Sequence, residues 1–166
     1  MRLTPRSDDP DRSSRSLPLP LPTDETAMYH SYRSDLSQVR AIVLRYAREA
    51  GLAEGRANDL VLAVSEVAAN TLRHTASSGT LALWHDHDEI ICEGRDEGFI
   101  ADPLAGQRRP APDATGGHGL WIVHQVCDLV ELSSDGNGTS VRMHMALRPL
   151  PGLPADPPPG PPAGGT

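Results

Sequence analysis

Three short stretches of this chain carry side chains whose types and spacing could do chemistry. In the first, Glu66, Asn70 and His74 recur every four residues within an apolar-periodic segment. On a helix they form one stripe along the border of the buried face. A carboxylate and an amide at the rim of a core can coordinate a hard cation or orient a water molecule; taken alone, the stripe reads as a solvated helix shoulder. In the second, Asp96-Glu97-Gly98 directly follows a β-prone run. An acid there can accept a hydrogen bond from a ligand amine, and the glycine lets backbone approach closely; on its own, an Asp-x-Gly is an ordinary turn. In the third, Thr115-Gly116-Gly117-His118-Gly119 opens the helical run Leu120-Trp121-Ile122-Val123. Glycines at a helix start leave backbone N–H groups free for phosphate, aided by the helix dipole. A dinucleotide-binding βαβ unit is the usual rival, but these glycines come late, without a parallel βαβ setting before them or a spaced acid after them.

To act together these residues must be assembled by the elements around them. Residues 28–33 read as a short strand. Asp35 with Gln38 forms a capping-box variant, and Leu36, Val39, Val43 and Tyr46 fall at helical spacing up to Gly51. A second helix spans residues 56–74, with Leu60, Val61, Val64, Val67, Ala68 and Thr71 as its buried face. Residues 80–84 and 89–93 form a hairpin around His85-Asp86-His87-Asp88; no second ligand pair there has the spacing of a metal site. Residues 99–118, with Pro, Gly and several charges, form a long loop of the kind used as a lid, with room for one helical turn. A helix over 119–127 follows, Trp121 expected against the sheet. Strands over 129–133 and 139–147 flank Asp135-Gly136-Asn137-Gly138, with Val141, Met143, Met145 and Leu147 on one face and Arg142, His144 and Arg148 on the other. The expected fold class is α/β: a two-layer α/β sandwich with a mostly antiparallel mixed sheet and helices on one face.

Composition narrows the chemistry. The 166 residues carry a net charge of -7, which argues against a nucleic-acid surface. Every basic residue is Arg; the lack of Lys excludes a Walker-type phosphate loop and Schiff-base chemistry. No apolar run reaches membrane-spanning length and no signal-peptide core is present, so a soluble cytoplasmic protein is expected. Cys92 and Cys127 lie in apolar surroundings and are expected as buried thiols in a reducing compartment, with a disulfide left open. Residues 27–148 form the expected folded domain. Residues 1–26 and the Pro/Gly-rich residues 149–166 are expected to be disordered tails.

In this order the three stretches resemble the N, G1 and G2 boxes of the GHKL ATPase/kinase superfamily, built on the Bergerat ATP-binding fold. The N box corresponds to Glu66-Val67-Ala68-Ala69-Asn70-Thr71-Leu72-Arg73-His74, the G1 box to Asp96-Glu97-Gly98 and the G2 box to Gly117-His118-Gly119-Leu120. Gly138-Thr139 before the last strand also suits this fold, and the resemblance covers nearly all of residues 28–148. Its nearest flavour is similar to the anti-sigma regulatory serine/threonine kinases, through Ala101-Asp102-Pro103-Leu104-Ala105-Gly106 and the run from Leu120 to Val130.

The resemblance implies a role for each matching position. Asn70 binds Mg²⁺ bridging the phosphates of ATP, and Glu66 is the general base for a Ser or Thr hydroxyl of a partner protein. Asp96 accepts from the adenine amino group, supported by Thr139 directly or through water, and Gly98 allows close passage beside the base. Gly116, Gly117, His118, Gly119 and Leu120 hold phosphates, residues 99–118 are the ATP lid, and Arg73 contacts phosphate. His118 stands where Arg is common between the two glycines, and Phe99 where a further small residue is common. The implied partners are a sigma factor and an anti-anti-sigma (STAS-like) protein, with no nucleic acid or membrane bound directly; homodimerisation through the first strand or helix is a further expectation by analogy. The implied activity is ATP-dependent protein serine/threonine kinase. The alternative is a nucleotide-responsive anti-sigma binding module without phosphotransfer. The catalytic half of a histidine kinase is disfavoured, since residues 1–50 offer no long helix pair presenting a phosphoacceptor His.

Overall fold

A computed structural model describes residues 27–75, 77–114 and 116–148. Both expected tails, and Thr115 of the third stretch, lie outside the described residues. The elements run β1 (Met28–Tyr32), α1 (Leu36–Glu49), α2 (Glu54–His74), β2 (Gly79–His85), β3 (Glu89–Asp96), α3 (His118–Val126), β4 (Leu129–Asp135) and β5 (Gly138–Ala146). The five strands form one sheet in the order β1-β2-β3-β5-β4. All four pairings are antiparallel, so the fold is the expected two-layer α/β arrangement, with no parallel pair among the described strands.

Side-chain alternation decides which face the helices cover. In β5, Val141, Met143 and Met145 are buried while Arg142 and His144 on the opposite face are half-buried. Ile90 and Cys92 of β3 and Leu81 and Leu83 of β2 join the same inner face. Against it packs α2, burying Ala57, Leu60, Ala63, Val64, Val67, Ala68 and Thr71. Val61, expected in that stripe, is only half-buried; the small Ala57 and Ala63 occupy the inner line and let the helix approach. In α1 the buried positions are Val39, Val43 and Ala47, while Tyr46 turns its hydroxyl to His85 Nδ1 at 2.9 Å. Asp35 caps α1 as expected, its carboxylate accepting from the Ser37 N–H at 2.9 Å.

Arg56 ties the helices to the sheet. It donates to the Val126 carbonyl at 2.9 Å and to Asp128 at 2.6 Å, and Asp128 also accepts from the Ala146 N–H at 2.7 Å. The C-terminal end of α3 is thereby anchored to the start of α2 and the end of β5. Cys92 and Cys127 are buried free thiols; burial pushes Cys127 up to about 12 and Cys92 well above its ordinary value, so neither is a nucleophile. No helix among the described residues is long and apolar enough to cross a membrane.

Candidate functional site

The three stretches meet in a cleft of about 790 Å³ between α2, the end of β3 and the start of α3, within the range of ligand sites. From α2 come Glu66, Asn70 and Arg73; from the end of β3 and the residues after it, Asp96 and Gly98. Gly116, Gly117, His118, Gly119 and Leu120 line it from the approach to α3 and its first turn, and Thr139 from β5. These eleven residues, the positions to which the resemblance assigns a contact with nucleotide, metal or substrate hydroxyl, thus border one cavity.

At one end lies Asp96, and its carboxylate is fixed from two sides. Oδ1 accepts from the Gly98 N–H at 2.7 Å and Oδ2 from the Thr71 hydroxyl at 2.6 Å. Gly98 has no room for a side chain: a Cβ there would lie 2.9 Å from both Asp96 Oδ1 and Thr75 Cγ2. The Thr139 hydroxyl donates to the Gly98 carbonyl at 2.9 Å and lies 2.7 Å from Ser134 Oγ. Ser134 Oγ also accepts from the Ile100 N–H at 2.8 Å, so the chain leaving β3 is held at two successive points. The half-exposed Asp96 presents hydrogen-bond acceptors to the cleft, which suits a ligand amine.

At the other end, α2 and α3 nearly touch. A Cβ on Gly119 would lie 2.8 Å from Glu66 Oε2 and 3.7 Å from both Nδ2 and Oδ1 of Asn70. A side chain at Gly119 would therefore push the Glu66 carboxylate away from the first turn of α3. Gly117 caps α3 at φ 85°, in the left-handed region, and has no side chain of its own to bond into the first turn. Backbone N–H groups of the first turn of α3 and the Glu66–Asn70 pair therefore meet at one end of the cleft, which Arg73 also lines, a donor set suited to phosphate and a hard cation. An elongated ligand with an amine at one end and anionic groups at the other fits this polarity.

Among its described residues, the expected lid, residues 99–118, contains turns but no helix before His118. Asp102 organises it, its side chain accepting from the Leu104 N–H at 2.9 Å and its carbonyl from the Ala105 N–H at 3.1 Å. Trp121, expected against the sheet, is instead half-exposed with the Arg109 guanidinium 5.5 Å from its ring centroid. The inward positions of α3 are Leu120 and Val123. His85 and His87 belong to no metal cluster among the described residues.

Sequence reasoning overlooked Thr75 and Ile122 as lining residues, and Thr71 as a partner of Asp96. A signal for Thr71 was present: a hydroxyl on the buried face of a helix requires a partner. Comparison with the curated proteins finds no match. The model of the histidine kinase-like ATPase domain matches residues 31–145, which include all three stretches. With the cleft assembled from those stretches and that match covering well over half of its length, the chain belongs to the histidine kinase-like ATPase domain family, within the GHKL superfamily.

Proposed function

We propose that the cleft binds ATP with Mg²⁺ and that the chain is a cytoplasmic anti-sigma regulatory factor with serine/threonine protein kinase activity. Its substrate is a Ser or Thr of an anti-anti-sigma (STAS-like) protein, and phosphorylation switches which partner, that protein or a sigma factor, it holds. The supporting observation is the close approach of Glu66 and Asn70 to the first turn of α3, across a gap that a single Cβ on Gly119 would fill.

The residues present fit the nucleotide. In this reading Asp96, its carboxylate held by the Gly98 N–H, accepts from the adenine amine, and Gly98 lines the cleft beside the base. The backbone of Gly116 to Leu120 and the Arg73 guanidinium hold phosphates, and Asn70 holds Mg²⁺. When bound, Mg-ATP supplies a transferable phosphoryl group whose charge the metal partly neutralises. Glu66 is half-exposed, so a hydroxyl brought by a partner can reach it and give up its proton to the carboxylate.

The test is incubation of the full chain with radiolabelled ATP, Mg²⁺ and the STAS-like protein encoded nearest to it. The expected product is a label on the partner that survives acid and is released by alkali, as Ser and Thr phosphates are. An acid-labile label on a histidine would contradict the assignment. Nucleotide binding without any label would leave the non-catalytic binding module as the better account.

A further inference from the structure

Behind Asp96 runs a hydrogen-bond relay that begins on the far edge strand. Tyr32, the last residue of β1, is 4% exposed, and its hydroxyl donates to Thr71 Oγ1 at 3.2 Å. Thr71, 1% exposed, donates in turn to Asp96 Oδ2 at 2.6 Å. The Tyr32 ring lies over Gly79, its partner across the β1–β2 ladder, where any Cβ would overlap the phenol ring and its oxygen. The sequence pair Tyr32 and Gly79 thus lets a buried phenol reach Thr71.

Thr71 has one proton and two acceptors within reach: Asp96 Oδ2 at 2.6 Å and, at 3.3 Å, the Val67 carbonyl, the ordinary back-bond of a helical Thr. A donor arriving at Oγ1 polarises the hydroxyl and restricts its rotation, strengthening the bond to Asp96. Burial raises the Tyr32 phenol above its ordinary value, which keeps it a donor at neutral pH.

We propose that Tyr32 is a positioning residue for base recognition. Through Thr71 it holds the Asp96 carboxylate in the orientation that accepts from the 6-amino group of adenine, and so sharpens the preference for adenine over purines lacking that amine. The proposal rests on the reading of Asp96 as the adenine acceptor.

The test is calorimetric titration of the full chain with ATP and with purine riboside triphosphate, which lacks the 6-amino group. Tyr32→Phe keeps the ring and removes the donor; it weakens ATP about three- to tenfold and changes purine riboside triphosphate less than about twofold. Thr71→Val shows the same selective loss more strongly, whereas Thr71→Ser, which keeps the hydroxyl, retains the wild-type ratio of the two affinities. Equal weakening of both nucleotides in Tyr32→Phe, as loosened packing would give, overturns the relay, and so does an unchanged ratio. A wild-type chain that binds neither nucleotide overturns the ATP reading itself, an outcome distinct from a binding wild type whose variants keep their ratio.

Discussion

Glu66→Gln lowers the rate of partner phosphorylation by about 10²–10⁴-fold while Mg-ATP affinity stays within about threefold of wild type. Glutamine matches glutamate in size, so the contact of this side chain with the first turn of α3, where a Cβ on Gly119 would lie 2.8 Å from Oε2, is kept. An amide cannot take up the proton of an attacking hydroxyl, and that is the difference read out. The split between an altered rate and an unaltered affinity separates proton removal from nucleotide positioning. Single-turnover labelling at saturating Mg-ATP checks it. Equal rates for Glu66→Gln and wild type would remove Glu66 from the role of base.

A second large effect concerns stability and lies on the other side of the sheet. Glu93 is 1% exposed, yet it sits on the face opposite the helices. Its Oε2 accepts from Arg142 at 2.6–2.7 Å, its Oε1 from Arg95, and the Arg142 guanidinium lies 5.4 Å from the Trp84 ring centroid. Glu93→Ala removes the carboxylate closest to a nearly buried guanidinium, which also lies 3.9 Å from Glu131. Loss of one member of such a pair costs about 3–5 kcal/mol, and in a domain of this size the thermal midpoint falls by more than about 10 °C. Replacing both Glu93 and Arg142 by Leu removes the charge imbalance and recovers most of that loss. Thermal unfolding followed by circular dichroism checks both. A cost under about 1 kcal/mol for Glu93→Ala would mean that the pair contributes no more than an exposed one.

The buried Glu93 also marks where sequence reading stops. Alternation along β5 correctly divides Val141, Met143 and Met145 from Arg142 and His144, because a period of two survives wherever one face is covered. In β2 and β3 the burial is nearly continuous, through Leu81–Trp84 and Ile90–Gly94, and alternation there carries no phase. Nothing in the sequence therefore marks Glu93 as buried, although the outer face holds the small apolar cluster of Ala82, Trp84 and Ile91 beside it. For the same reason the hairpin strands extend past their expected ends, and Asp96 closes β3 where a turn residue was expected. The apolar run Leu120-Trp121-Ile122-Val123 likewise has no polar residue to mark its outward side, so the half-exposed setting of Trp121 beside Arg109 was not readable.

The cleft was far more legible. Glu66 and Asn70 lie one helical turn apart, Asp96 and Gly98 two residues apart, and the glycines run consecutively into α3, so each group is local in sequence and its geometry follows from its element. What joins the groups is long-range. The Tyr32–Thr71 bond spans 39 residues and depends on the β1–β2 register that sets Tyr32 opposite Gly79. The bond from Thr139 to the Gly98 carbonyl spans 41 residues and depends on the β3–β5 register. No pattern within a single segment encodes those pairings.

The most direct test of the account is titration of the full chain with ATP by calorimetry, with Mg²⁺ and again with EDTA, for wild type, Asn70→Ala and Asp96→Ala. The account predicts a dissociation constant on the order of micromolar for wild type with Mg²⁺, weakened at least about tenfold by EDTA and about 100-fold or more in each variant. No heat of binding for wild type at millimolar ATP, or binding that both variants retain unchanged, would contradict it.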